Sequence, residues 1–193
     1  MGRRKTISDD EVLAVARGVF RARGHSASTR EVAEAAGISE AVLYQRFGSK
    51  DDLFFAAMRP IGPDVADLLG PDDLPTDARE YLRATVTRIG RHFAEVIPLA
   101  LHVMMHPSFD RAAFARHHPR GHDGLRDGLT RRLAAMGKAG LVAVESPATA
   151  ARLLIGIAHD WALSAAMADG VTAARTRELR DMVDAAWAGL RPG

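Results

Sequence analysis

The chain has 193 residues, of which 47% are hydrophobic and 26% charged, with a formal net charge of +2 and no cysteine. This length and apolar content are sufficient to bury a core in one large domain or two smaller ones. The absence of cysteine excludes disulfides, thiolate metal sites and cysteine nucleophiles, and it suits a reducing cytoplasm, where we expect the protein to reside. Because the net charge is so small, nucleic-acid binding would depend on the local placement of basic residues.

The first residues and the most apolar stretch bear on export and membrane insertion. Arg3, Arg4 and Lys5 precede acidic residues rather than an apolar core, so we expect no export signal. This basic cluster could lie along DNA phosphates, or it could be a solvated tail. Charged side chains break the most apolar stretch, residues 148–168, and no membrane partner is therefore predicted.

Helical periodicity dominates the sequence. Apolar residues recur at intervals of three and four, and no alternating β-branched stretch has the length of a strand. Glycine and proline residues, Pro98 among them, divide the chain into about nine helices. The first four are short, and the segments after Thr76 are longer. The sequence thus predicts an all-α fold with a domain boundary near residues 60–75.

The first helix carries clear signals at both ends. Ser8 is placed to cap it, with Glu11 completing a capping box. Gly24 is suited to end it. Its apolar residues lie on one stripe that must pack against other helices: Val12, Val15, Ala16, Val19 and Phe20.

The next two helices have the pattern of a helix-turn-helix. A short helix capped by Thr29 is followed by Gly37, which permits a sharp turn, and by a second cap at Ser39. Leu43 and Phe47 are four apart and point inward. The outer faces of the second helix then carry Glu40, Ala41, Tyr44, Gln45 and Arg46. Without further signals, two short helices joined at a glycine could equally be ordinary bundle packing.

The combined string decides between these interpretations, because it resembles the TetR family of bacterial regulators. The resemblance lies in the residues Ser28-Thr29-Arg30-Glu31-Val32-Ala33-Glu34-Ala35-Ala36-Gly37-Ile38-Ser39, Val42-Leu43-Tyr44-Gln45-Arg46-Phe47 and Ser49-Lys50-Asp51-Asp52-Leu53. It covers about the first 60 residues. It implies a three-helix DNA-binding domain over residues 1–58, linked by helix four to a ligand-binding and dimerisation domain over residues 59–193.

The resemblance also implies roles for individual residues. Thr29, Tyr44 and Lys50 would bond phosphates, with Thr29 also capping the second helix. Base readout would come from Glu40, Ala41, Val42, Gln45 and Arg46 on the recognition helix, which Ser39 caps, and from Arg30 on the preceding helix. By their chemistry, an arginine suits guanine, Gln45 adenine, Glu40 cytosine, and Ala41 or Val42 a thymine methyl group. The negative charge of Glu40 should lower nonspecific affinity and raise selectivity.

Members of the resembled family are dimers, which implies a homodimer on a palindromic operator of double-stranded DNA. The expected dimer surface combines the last two helices of each chain: Leu154, Ile155, Ala158, Trp161, Ala162, Ala165, Met182, Val183, Ala186, Trp187 and Leu190. The alternative is that these residues form only an intramolecular core. The expected function is that of a repressor that an unknown small molecule releases from DNA, and an activator is the open alternative.

The region after residue 90 holds candidate effector and metal ligands. An apolar cavity with a few polar groups is expected from Phe93, His102, Met105, Phe109, Phe114 and His159. Seven of the eight histidines lie here, and His102 and His106, four apart on a predicted helix, suggest a competing metal-sensor or metalloenzyme hypothesis, as do His118 and His122. No glutamate follows His102 to act as a base. We therefore predict no enzyme, no cofactor and no metal.

Overall fold

The computed structural model describes residues 7–59, 64–112, 123–168 and 170–190. Within these ranges the chain has no strand, which confirms the predicted all-α fold. The described helices are α1 (Asp9–Arg23), a 3-10 turn (Gly24–Ser26), α2 (Thr29–Ala36), α3 (Glu40–Phe47), α4 (Lys50–Ala57), α5 (Val65–Leu69), α6 (Ala78–Met104), α7 (Asp123–Lys138), α8 (Pro147–Ala166) and α9 (Ala173–Trp187). These nine α-helices match the predicted number.

The described residues form two compact units. Of the described residues, 7–59 and 99–112 form the first unit, and 64–98, 123–168 and 170–190 form the second. The division falls inside α6, directly after Pro98. The sequence did not indicate that residues 99–112 pack with the N-terminal helices. The basic cluster at residues 3–5 lies outside the described residues.

Local signals fix the ends of α1. The Ser8 side chain accepts a hydrogen bond from the Glu11 N–H, and the Glu11 carboxylate accepts one from the Ser8 N–H, which completes the predicted capping box. At the other end, the N–H of Gly24 donates to the carbonyl of Phe20, and its φ is 63°. The inner stripe is buried at Val12, Ala16 and Phe20, as predicted.

The core of the first unit holds α1 to α4 together. Phe20 of α1 and Phe54 of α4 meet edge to face, with ring centroids 5.0 Å apart. Leu43 of α3 is buried in the same core, and so are Leu99 and Val103 from the end of α6. Burial of side chains of this size contributes roughly 1.5–3 kcal/mol each. The apolar core therefore fixes the position of α3 within this unit.

Two corrections concern α6. Pro98 does not end a helix, since α6 continues through it to Met104. A proline costs a helix one backbone donor, but burial of the neighbouring Ile97 and Leu99 offsets that loss. The helix ends before His106, because Pro107 disfavours helical backbone at the residue before it. His102 and His106 are consequently not two residues on one helical face.

In the second unit, α6, α8 and α9 cross closely at Gly90. A Cβ atom at this glycine would lie 2.9 Å from Leu179 Cδ2 and 3.1 Å from Trp161 Cε3, so no larger residue fits. The indole N–H of Trp161 donates to the carbonyl of Arg175 at 2.7 Å. Asp184 of α9 accepts hydrogen bonds from Arg79 and Arg83 of α6. None of the described helices is both long and apolar enough to cross a membrane.

Candidate nucleic-acid interface

The turn between α2 and α3 positions the outer face of α3. Gly37 has φ 67° and ψ 29°, a left-handed conformation that ends α2, and the N–H of Ile38 reaches back to the carbonyl of Ala33. The Ser39 side chain then caps α3 by accepting from the N–H of Val42. Both features follow the sequence prediction. They set the direction of a helix whose inner side is held by the buried Leu43.

The exposed face of α3 carries the side chains predicted to read DNA. Glu40, Ala41, Tyr44 and Gln45 are exposed, and Val42 is partly exposed. The Tyr44 side chain is polar at its tip and is 46% exposed, which is unusual for a large aromatic residue. This face combines acceptors, donors and an apolar methyl-sized surface, the groups that read base edges in a major groove.

Thr29 does not cap α2, which corrects the sequence prediction. Ser28 is the cap, and its capping box with Glu31 lowers the pKa of that carboxyl group, chiefly through the hydrogen bond from the Ser28 N–H. Thr29 is the first helical residue and is buried. Its hydroxyl instead donates to Glu40 Oε1 at 2.6 Å and lies 3.0 Å from the Tyr44 hydroxyl oxygen.

Both candidate base-reading arginines have partners in this structure. Arg30 Nε lies 2.9 Å from Glu34 Oε1, and the hydrogen bond to Glu34 raises the pKa of Arg30. Arg46 donates from Nη1 to the carbonyl of Ile7 at 2.8 Å and lies 3.5 Å from Asp9 Oδ1. Its side chain is only 22% exposed. Arg46 thus ties α3 to the start of α1, whereas Arg30 remains at the surface.

Lys50 is the first residue of α4. Ser49 caps this helix and bonds Asp52 in a capping box, and the hydrogen bonds from Ser49 lower the pKa of Asp52. Among the described residues, Lys50 forms no ion pair or hydrogen bond. Lys50 therefore presents a cation at the start of α4, which suits an anion such as phosphate.

A buried histidine packs against α4, and the sequence analysis missed this role. The His106 ring lies 4.5 Å from the Phe54 ring centroid and 5.0 Å from that of Phe55. Its Nε2 is 3.7 Å from Asp51 Oδ1, and its Nδ1 accepts from the N–H of Ser108. Burial lowers the pKa of His106, and Asp51 opposes that shift. Only Pro107, which follows this histidine and disfavours helical backbone at it, hinted at the arrangement.

The predicted effector residues are dispersed. In the second unit, the rings of Phe93 and His159 meet edge to face at 5.7 Å. In the first unit, Phe109 packs on the core and Met105 is 78% exposed; His102 is partly exposed. Phe114 lies outside the described residues, as do His118 and His122. Among the residues that the structure describes, no group of three or more His, Asp or Glu side chains could hold a metal ion.

A cavity of about 370 Å³ lies between α5 and α7 in the second unit. Val65, Leu69 and Ala135 supply apolar walls, and Arg131 and Arg132 supply charge. Arg132 is buried and bonds Asp72 at 3.0 Å, whereas Arg131 forms no ion pair with any described residue. No local sequence pattern predicted this cavity, because its walls come from distant segments.

Most of the predicted dimer residues are buried within a single chain. These are Leu154, Ala158, Trp161, Ala162, Ala165, Val183 and Leu190. Ile155, Met182, Ala186 and Trp187 are partly buried. The exposed face of α8 instead carries a stripe at intervals of three and four residues, which we call the α8 stripe: Leu153, Gly156, Asp160, Leu163 and Met167. A Cβ atom at Gly156 would meet no atom within 4 Å.

Short helices joined by a left-handed glycine turn, with one face of α3 exposed, form a helix-turn-helix, the arrangement that many DNA-binding domains use. Residues 12–57 match the sequence profile of the bacterial regulatory proteins of the tetR family. Over 78 residues the chain is 40% identical to the HTH-type transcriptional activator FasR of Mycolicibacterium smegmatis. That match covers 39% of this chain and only 36% of the relative.

Solved structures share the fold along nearly the whole chain. GusR of Salmonella enterica is 18% identical with a TM-score of 0.62, over 95% of this chain and 100% of that one. A TetR regulator of Streptomyces coelicolor is 24% identical with a TM-score of 0.53, over 96% and 99%. A Pseudomonas aeruginosa regulator is 19% identical with a TM-score of 0.66, over 96% and 94%. Residues 12–57 thus match the family that the sequence motif predicted, and the solved structures share the fold of the chain.

Proposed function

We propose that this chain is a cytoplasmic, homodimeric repressor that binds a palindromic operator and is released from it by a small-molecule effector. The exposed polar face of α3, opposite the buried Leu43 and close in sequence to Lys50, is the observation that carries the proposal. A recognition helix in a major groove needs such a face. Gln45 and Glu40 would read base edges, and Lys50 would contact phosphate.

Dimerisation would use the α8 stripe. Leu153 is 53% exposed, Leu163 37% and Met167 76%, and apolar side chains so exposed in one row favour an interface. Gly156 would let a second α8 approach closely. The dimer would present two copies of α3 to two half-sites one helical turn apart, which a single short helix could not read with useful specificity.

The cavity between α5 and α7 is our candidate effector site. Its volume of about 370 Å³ falls within the range of small-molecule pockets. The apolar walls and the guanidinium of Arg131, which also lines the cavity, suit an effector that has an apolar body and an anionic group. Phe93 and His159 are a second candidate ligand contact. Arg131→Ala should abolish release by an anionic compound and leave operator binding unchanged.

The decisive experiment is the selection of DNA from a random duplex pool by the purified protein, followed by sequencing. We expect enrichment of a two-fold symmetric site. Gln45→Ala should change the sequence preference, because Gln45 is exposed and forms no hydrogen bond with any described residue. Lys50→Ala should weaken binding to every sequence and reduce the slope of log K against log salt by about 0.9 for each phosphate that the protein no longer neutralises.

Lys138→Ala is the matched control, since Lys138 is an exposed lysine at the end of α7. It should leave affinity and salt slope unchanged. If Lys50→Ala and Lys138→Ala behave alike, Lys50 is not at the interface. Failure of the folded wild-type protein to enrich any site, with and without candidate effectors, would overturn the proposed function.

Activation is the alternative outcome of DNA binding. The relative FasR is named a transcriptional activator, and its match covers 39% of this chain. A reporter gene placed behind the selected operator distinguishes the two. Expression that rises when the protein is removed supports repression, and expression that falls supports activation.

A further inference from the structure

Three side chains at the centre of the DNA-binding face form one hydrogen-bonded chain. Thr29 Oγ1 lies 2.6 Å from Glu40 Oε1 and 3.0 Å from the hydroxyl oxygen of Tyr44. Thr29 is 6% exposed, whereas Glu40 and Tyr44 lie at the surface. The two hydroxyl groups sit between α2 and α3, where family resemblance expects contacts to a DNA phosphate.

The direction of these hydrogen bonds follows from the donors available. A carboxylate only accepts, and each hydroxyl carries one proton. The Thr29 proton therefore goes to Glu40, so Thr29 can only accept from Tyr44. Tyr44 thus donates to Thr29, and Thr29 donates to the Glu40 carboxylate. Because the final acceptor is charged, it strengthens both hydrogen bonds.

A DNA phosphate offers the same chemistry as the Glu40 carboxylate: anionic oxygens that accept hydrogen bonds. It must compete with Glu40 for the Thr29 proton and with the Thr29 oxygen for the Tyr44 proton, and it is repelled by the carboxylate while that group stays in place. We propose that Glu40 determines specificity by holding the Thr29 and Tyr44 hydroxyls until a base-pair donor takes its carboxylate. This inference rests on the proposed function.

The exocyclic amine of cytosine in the major groove is the donor that fits. It donates to carboxylates, and Glu40 is the first residue of the recognition helix, on its exposed side. At a matching cytosine, Glu40 would exchange the Thr29 proton for the amine, and the two hydroxyls would turn to the phosphate. Guanine and thymine offer the carboxylate no amine in the major groove, and adenine places its N7 acceptor beside the amine, which repels the carboxylate, so at these bases Thr29 is not replaced and the phosphate contact is not made. Recognition of one base by Glu40 would thus control the contact of the Thr29 and Tyr44 hydroxyls with the DNA phosphate.

The test compares affinities for the selected operator and for a scrambled duplex of equal length. Glu40→Ala should tighten binding to the scrambled duplex by about tenfold and reduce the ratio of specific to nonspecific affinity by at least as much. Asp10→Asn is the matched control, because it removes an exposed negative charge of α1 in the same unit. It should change both affinities by the same small factor. Thermal unfolding checks that the variants are folded.

A double-mutant cycle separates this mechanism from simple charge repulsion. Tyr44→Phe should weaken binding to the scrambled duplex less than about twofold in the wild type, where the hydroxyl is engaged, and by about fivefold or more in the Glu40→Ala background. Equal costs in the two backgrounds would overturn the inference, as would unchanged scrambled-duplex affinity in Glu40→Ala. Those results leave operator binding intact, whereas a wild type that binds no DNA refutes the proposed function and this inference together.

Discussion

Replacement of Gly37 tests the turn that sets the direction of the recognition helix. Gly37 has φ 67° and ψ 29°, and a Cβ atom there would meet no atom within 4 Å. Because nothing clashes, the cost of Gly37→Ala is that of the left-handed backbone, about 1–2 kcal/mol for a residue with a Cβ atom. The lower entropy of alanine in the unfolded chain returns about 0.4–1 kcal/mol. The net destabilisation should be about 1 kcal/mol.

Two further variants serve as references for the predicted destabilisation by Gly37→Ala. Gly18→Ala makes the same chemical change inside α1, where a Cβ atom also meets nothing within 4 Å and φ is not left-handed. It should stabilise the protein by about 0.5–1 kcal/mol, because alanine is the better helix former. Gly37→Asn should cost less than Gly37→Ala, since asparagine tolerates left-handed backbone.

Thermal unfolding followed by far-UV circular dichroism measures these effects. For a chain of this size, 1 kcal/mol corresponds to a Tm shift of about 2–4 °C. Gly37→Ala should lower Tm and Gly18→Ala should raise it. Shifts of the same sign for both alanine variants would refute the view that backbone conformation, and not side-chain chemistry, decides the effect.

Three other predictions concern titration and assembly. Asp184→Asn should destabilise the protein at neutral pH, because the hydrogen bond from Arg83 lowers the pKa of Asp184 to about 2 from 3.8. This stabilisation is complete above about pH 4 and is lost as the pH falls toward 2, which urea unfolding across that range will show. Burial lowers the pKa of His106, so protonation favours the unfolded chain, and wild-type stability should fall below about pH 6.5. His106→Phe should remove most of that fall in the same assay. Leu163→Glu should convert the proposed dimer to a monomer in light scattering, because it adds a second carboxylate, besides that of Asp160, to the α8 stripe.

Each of these predictions has a matched control. Asp181→Asn changes an exposed aspartate on the same helix as Asp184 and should show no pH-dependent loss. Parallel pH profiles for the wild type and His106→Phe would show that His106 is not the group responsible. Leu74→Glu introduces the same charge at a leucine that is 49% exposed outside α8, and it should leave the dimer intact. A Leu163→Glu variant that stays dimeric would rule out the α8 stripe as the interface.

The first unit was the more predictable part, because its signals are local. The capping box of Ser8 and Glu11, the turn at Gly37 and the cap at Ser39 all act within four residues of the chain. The predicted cap of α2 was wrong by one position, because Ser28 and not Thr29 caps this helix. Ser28 and Thr29 are both competent caps, and nothing in local sequence says which hydroxyl will face Glu40 across the turn.

The sequence showed which face of a helix is buried, but not which segment packs against that face. The apolar period of α8 correctly indicated one buried face, at residues such as Leu154 and Trp161. The same period arises whether that face packs on its own chain or on a second copy. The sequence analysis favoured the second copy; in the structure Leu154 and Trp161 are buried within a single chain, whereas Trp187 is only partly buried.

What the sequence alone determined is the helix-turn-helix: the helices, the turn at Gly37 and the resemblance to the TetR motif follow from residues adjacent in the chain. Only the tertiary structure decided the contacts between distant segments. It brought His106 against α4, Thr29 to Glu40 and Tyr44, and the walls of the cavity to one place. The reason is that helix and cap formation depend on neighbours within a few residues, whereas pairing across the fold depends on which packing buries the most apolar surface.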